Sequence, residues 1–197
     1  YDLSSMAHPI HFMAGSGHKF HGPKGVGFLY INNEVSINPY MDGGAQERNM
    51  RAGTENIYGI VGMAKALELA YSEMEDIRRH IESIRQYMID QLKEEIGDVR
   101  FNGAPSPDCH YKVLSVTFPP SARAALLLQS LDIAGISASG GSACSSGADV
   151  GSHVLNALKV DPMRKTIRFS FCHNNTHEEV DRLIQALKGI YKKEMVA

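Results

Sequence analysis

The stretch PIHFMAGSGHKFHGPKGVGFLYI, residues 9–31, decides how the rest of the chain is read. Two short apolar runs, 9–14 and 26–31, carry β-branched and aromatic residues between turn signals and predict two strands. Between them lie Ser16, Gly17, His18 and Lys19, followed by a Gly-Pro-Lys-Gly turn. A solvated lysine needs no such company. A lysine becomes a nucleophile when its ammonium is desolvated or placed near other cations, and His18 and Lys24 are at hand. Ser16 and the amides around Gly15 and Gly17 would offer donors to a phosphate, because glycine lets a backbone approach an oxyanion closely. The plainer alternative is a hairpin with an exposed lysine. His8, His11, His18 and His21 invite a metal reading, but a spacing of three on a strand sends side chains to opposite faces, so no metal is expected.

Outward from this stretch the pattern is that of an α/β chain. After the loop NPYMDGGAQERNMRAGTEN, apolar residues recur at Ile57, Ile60, Val61, Ala64, Leu67 and Tyr71. They recur again at Met74, Ile77, Ile81, Ile84, Met88 and Leu92, which predicts two helices or one long bent one. Gly97 is a stop signal, and a turn-rich FNGAPSPDCH follows. Leu114, Val116 and Phe118 alternate as a strand, SARAALLLQSL reads as a helix ended by Gly135, and ISA is a short strand. Residues 166–171 form another strand, and Thr176 with Glu179 is a capping box for a last helix running to about Met195.

Bulk properties narrow the partners. The chain has 197 residues, 43% of them apolar, enough for a core. Its 20 basic and 22 acidic residues nearly cancel and form no stripe, so neither nucleic acid nor an anionic membrane is expected. No apolar run approaches the roughly 18 residues of a membrane span, and the start YDLSS shows no leader pattern, so a cytoplasmic protein is expected. The cysteines are Cys109, Cys144 and Cys172, without a C-x-x-C pair. Cys144 lies in ASGGSACSSG, a segment too polar for core packing, which makes it a candidate nucleophile or an incidental loop thiol. Cys109, in a turn, and Cys172, at a strand end, have weaker cases. Thr54, just before a helix, is placed to cap it or to bind an anion at its positive end. Arg168 and Ser170 share one strand face opposite Ile167 and Phe169, which suits Arg168 to a salt bridge or a substrate carboxylate.

Taken together, SGHKFHGPKGVGFLY, GGAQERNMRAGTEN, SASGGSACSSG followed by SHVL, and IRFSF resemble the NifS/IscS-type cysteine desulfurases of the class-V aminotransferase superfamily. The resemblance implies an α/β fold, the pyridoxal 5′-phosphate (PLP) dependent transferase fold type I. Residues 1–97 would be the end of the large PLP-binding domain plus a linking helix, and 98–197 the small C-terminal α/β domain with the cysteine loop. It implies Lys19 as the catalytic lysine that holds PLP, Ser16 and His18 as phosphate ligands, and Thr54 as a ligand to the phosphate of the partner subunit in a homodimer. It also implies Arg168 as the clamp on the carboxylate of L-cysteine and Cys144 as the catalytic sulfur acceptor. Apart from the resemblance, a reacting thiolate calls for a lowered pKa or a proton acceptor near Cys144, for which His18 and His153 are candidates. The long loop before SHVL resembles the branch that hands sulfur to iron–sulfur scaffold proteins.

Two departures shape the expectations. Members of that family are much longer, and the part carrying the aspartate, glutamine and stacking histidine around the pyridine ring has no counterpart here. Residues 1–197 alone are therefore expected to bind PLP weakly and to lack activity. At Cys172 the family has glycine. The competing readings are another class-V aminotransferase or lyase, and a non-catalytic fragment.

Overall fold

A computed structural model describes residues 6, 8–103, 109–121, 126–140 and 152–192. The chain forms two compact units, Tyr1–Met74 and Glu75–Ala197. The line drawn from sequence at 97/98 lies beyond this division, and the difference is one helix, Met74–Glu95, whose apolar face belongs to the core of the second unit.

In the first unit, strands β1 (Phe12–Ser16) and β2 (Gly27–Ile31) pair antiparallel, from Phe12 opposite Ile31 to Ser16 opposite Gly27. A 3-10 turn, Gly17–Phe20, joins them and ends at His21 in the left-handed region, φ 67°. The two strands meet through small residues. A Cβ on Gly15 would lie 2.3 Å from the Phe28 ring, so the aromatic covers a position that only glycine leaves open. Helix α1 (Ile57–Ser72) begins at Asn56, whose Oδ1 accepts the Gly59 N–H at 3.1 Å. Its small face packs on the Gly-Pro-Lys-Gly turn, for a Cβ on Gly62 would stand 2.7 Å from Pro23. Among the described residues of this unit, Ala52 is the one buried hydrophobic side chain.

The second unit is a two-layer structure. Strands β3 (Arg100–Asn102), β4 (Val113–Thr117) and β5 (Thr166–Ser170) form an antiparallel sheet in the order β3-β4-β5. An isolated bridge between Ser139 and Arg168 extends it beyond β5. Helices α2 (Met74–Glu95), α3 (Leu127–Ile133) and α5 (His177–Lys192) supply apolar side chains to its core, and a short α4 (His153–Ala157) precedes β5. The alternation of β4 and β5 sends Leu114, Val116, Ile167 and Phe169 into that core. Ile81, Ile84, Met88 and Leu92 of α2 meet them, with Val180, Leu183, Ile184 and Leu187 of α5. Each such side chain contributes about 1.5–3 kcal/mol on burial.

Several details differ from the sequence reading. Strand β3 falls where turn signals predominate, because Phe101 packs beneath the sheet while Asn102 bonds across it. The ISA run, residues 136–138, forms no strand, and the neighbouring Ser139 makes a single bridge to Arg168. The capping box forms as read: Glu179 accepts the Thr176 N–H at 3.2 Å, and Thr176 Oγ1 accepts the Glu179 N–H at 3.4 Å.

Candidate functional site

Lys19 is presented by the tightest part of the first unit. The buried Gly17 donates its N–H to the Val26 carbonyl at 2.9 Å, and its own carbonyl accepts the Gly22 N–H at 2.9 Å. These bonds fold the SGHK segment back over the hairpin and leave His18 and Lys19 exposed on the 3-10 turn. They also correct one expectation. The Gly17 amide is not a donor for a phosphate, because hairpin closure uses it.

Ser16 occupies the cap position of that turn, yet its hydroxyl makes no capping bond. Thr54 is likewise not the cap of α1, since Asn56 takes that role. The side chains of Ser16, His18 and Thr54 are exposed polar groups of the types that bind a phosphate, and capping accounts for neither hydroxyl. The donor set therefore fits a phosphate-bearing cofactor. The loop before Thr54 is strained: Glu47, Arg48 and Asn49 hold φ of 48°, 56° and 64° in succession. Non-glycine residues in that region cost about 1–3 kcal/mol each and cluster at ligand sites. Gln46 Oε1 steadies the far end by accepting the Gly53 N–H at 3.1 Å.

In the second unit Arg168 is half-buried on the face of β5 away from the core, as the alternation predicts. Among the described residues no ion pair or hydrogen bond holds its guanidinium, so the salt-bridge alternative finds no partner there. This face is polar. Asn102, Ser115, Thr117 and Thr166 lie on it, and Thr117 Oγ1 and Thr166 Oγ1 are 2.8 Å apart. A cavity of about 320 Å³ opens instead on the helix side, between Ile84, Met88, Phe169 and Leu183, and does not include Arg168.

Cys144 lies outside the described residues, and so does most of ASGGSACSSG. Described are its stem at Ser139 and the SHVL segment, where Ser152 caps α4 by accepting the Leu155 N–H at 3.4 Å. His153, exposed at the start of α4, is placed, but its relation to Cys144 is not described. Cys172 has a structural account: its N–H donates to Asn175 Oδ1 at 2.8 Å and its carbonyl accepts the Asn175 N–H at 3.2 Å. That turn leads β5 into the capping box of α5. Lys19, Ser16, His18 and Thr54 thus belong to the first unit, and Arg168 to the second.

Two residues escaped the sequence reading. Asn56 stands directly before the first apolar position of α1, the ordinary place for a cap, two residues closer to the helix than Thr54. The other is Ser115: the strand is legible in sequence from its buried Leu114 and Val116, and the same alternation marks Ser115 and Thr117 as the opposite, polar face.

Comparison with known proteins gives the family. The family model described as Aminotransferase class-V matches residues 4–183. The chain is 43% identical over 186 residues to a cysteine desulfurase IscS of Methanosarcina thermophila, covering 93% of this chain and 45% of that protein. It is 39% identical over 186 residues to the corresponding protein of Dictyoglomus turgidum, covering 93% and 47%. A solved structure described as a NifS-like protein superposes with a TM-score of 0.78 at 36% identity, covering 93% of this chain and 47% of that one. The chain spans about half the length of the curated relatives it matches.

Proposed function

Because the chain belongs to the class-V aminotransferase family, whose members depend on PLP, we propose that it is the C-terminal part of a cysteine desulfurase. The whole protein would convert L-cysteine to L-alanine and pass the sulfur, as a persulfide on Cys144, to an iron–sulfur scaffold or another acceptor protein. The observation that carries this reading is the Lys19 turn: an exposed lysine and histidine on a 3-10 turn between two strands, in a chain 43% identical to a cysteine desulfurase. A purely structural hairpin has no use for Ser16 in a cap position without a capping bond.

In this reading Ser16 and His18 hold the cofactor phosphate, and Thr54 reaches the phosphate of the partner subunit in a homodimer. Bound at Lys19, PLP supplies an electron sink that lets a substrate carbon lose its proton. The Lys19 amine moves that proton. Arg168 orients the substrate through its carboxylate. The Cys144 thiolate would then attack the substrate sulfur: the S–S bond forms as the Cβ–S bond breaks, Cβ keeps the bonding pair and takes up a proton, and return of a proton from Lys19 to Cα completes alanine. Such chemistry calls for reduced thiols, which suits the cytoplasm.

The domain division at 97/98 belongs to the same reading, as does the expectation that residues 1–197 alone are inactive. The test uses the full-length protein. Incubation with L-cysteine and a thiol reductant that reduces the persulfide should release alanine and sulfide in equal amounts, and borohydride trapping with peptide mapping should place the phosphopyridoxyl group on Lys19. Its recovery on Lys24, or release of a keto acid in place of alanine, would favour another class-V enzyme.

A further inference from the structure

Arg168 sits in a row of side chains that crosses the sheet of the second unit. Cross-strand partners in an antiparallel sheet project to the same face. The register sets Asn102 opposite Ser115, Ser115 opposite Arg168, and Arg168 opposite Ser139. The row therefore runs amide, hydroxyl, guanidinium, hydroxyl. The backbone of Arg168 turns toward Ser139: its N–H donates to the Ser139 carbonyl at 2.7 Å, and its carbonyl accepts the Ser139 N–H at 3.1 Å. With both groups turned that way, Arg168 and Ser115 form the non-hydrogen-bonded kind of pair. In such a pair the Cα atoms approach to about 4.5 Å and the side chains lie closest.

Hydrogen-bond accounting then fixes what the Ser115 hydroxyl does. Asn102 Nδ2 donates to Ser115 Oγ at 3.1 Å and to Thr117 Oγ1 at 2.8 Å, which uses both hydrogens of the amide. The buried Thr117 is held in turn by Thr166, so Asn102 is fixed at its base. Ser115 Oγ is the acceptor in its bond, and its own hydrogen is left to donate. A guanidinium has no lone pair to receive it. Two donors thus stand side by side on a half-buried surface, with no carboxylate in the row. The group that satisfies both is an anion with two acceptor oxygens.

We propose that Ser115 is a second contact for the substrate carboxylate, donating its O–H to one oxygen while Arg168 holds the other, and that Asn102 orients it. This rests on the desulfurase reading of Arg168. It assigns the preference for an α-carboxylate to a pair of residues, where the sequence motif marks only the arginine.

The experiment uses the full-length holoenzyme and Ser115→Ala, with Ser115→Thr to restore the hydroxyl. Loss of a hydrogen bond to a charged group predicts that the dissociation constant for L-alanine, and KM for L-cysteine, rise about tenfold. The change in kcat should be smaller, and Ser115→Thr should recover most of the loss. Affinity for L-cysteine methyl ester, which has no carboxylate, should not change. Equal weakening toward the acid and the ester, or unchanged affinity for both acids, overturns the proposal. Failure of the reading beneath it shows itself separately, as a wild-type protein that releases no alanine from L-cysteine.

Discussion

Helix α1 of the first unit and helix α5 of the second are both sixteen residues long, and they treat their apolar side chains in opposite ways. Helix α5 is amphipathic and buries Val180, Leu183, Ile184 and Leu187. The only charged residues of α1 are Lys65 and Glu68, which pair with each other at 2.8 Å. It leaves Ile57, Tyr58, Val61 and Tyr71 exposed, Tyr58 at 93%. A helix that is apolar all round is one made to be surrounded. The hairpin beside it repeats the contrast, for a two-stranded ribbon is marginal by itself, and Phe12 and Leu29 are exposed. The second unit closes its own core; the first presents the Lys19 turn on a surface that still needs a cover.

The largest effects should separate the units by chemistry. In the full-length protein, Lys19→Ala and Cys144→Ala are each expected to lower sulfur transfer by about a thousandfold or more. They should do so at different steps. Cys144→Ala keeps the trapped phosphopyridoxyl group and the affinity for L-cysteine, whereas Lys19→Ala loses the trapped group. Loss of the same step in both variants, read by borohydride trapping and substrate titration, would break the division.

A second contrast lies in packing. Leu187, fully buried, should cost about 2–5 kcal/mol when changed to Ala, measured by urea unfolding of residues 1–197. Leu29→Ala in the same chain should stay within about 0.5 kcal/mol. Repeating Leu29→Ala in the full-length protein sharpens the comparison, because a covered Leu29 must then show a core-sized cost.

This contrast also explains how much was legible beforehand. Periodicity found α1 and α2, and alternation found β4 and β5, because apolar spacing records which face is buried. It could not show that the covers of α1 and α2 differ, since Ile57 and Ile81 are equally apolar in sequence and only tertiary contacts separate them. The motif around Lys19 was legible as a turn, but the use of the Gly17 amide was not, because the Val26 carbonyl that takes it is set by the hairpin register. Strand β3 was hidden because three residues between turn signals carry no period, and its pairing with β4 alone makes it a strand.

Helix caps give a smaller and more discriminating comparison. Thr176→Ala removes one side of the capping box of α5 and should lower the stability of residues 1–197 by about 1 kcal/mol. Asn56→Ala removes the same kind of bond from α1. If the cooperative transition belongs to the second unit, Asn56→Ala should leave its midpoint in place, and a matching shift would show that the two units unfold together.

The smallest effect expected is one of pH. Arg164 is buried and bonds to the Asp98 carboxylate at 2.9 Å and to the Asp98 backbone carbonyl, tying the end of α2 to the start of β5. Among the described residues its Nε is buried without a partner, so Asp98 is its main support. The hydrogen bond from Arg164 holds the Asp98 carboxyl below the usual carboxylate range. A carboxyl depressed in the folded state stabilises the fold above its unfolded pKa of about 3.9, and that contribution is lost as pH falls through the lower folded value. Asp98→Asn should therefore melt below wild type at neutral pH, and the two curves should converge on acidification below about pH 4. Glu68→Gln, which breaks the exposed Lys65 pair within α1 of the first unit, should leave the neutral melting curve unchanged. A gap between Asp98→Asn and wild type that stays constant down to low pH would mean that Asp98 acts through its neutral contacts alone, and that ionisation contributes nothing to the closure of the second unit.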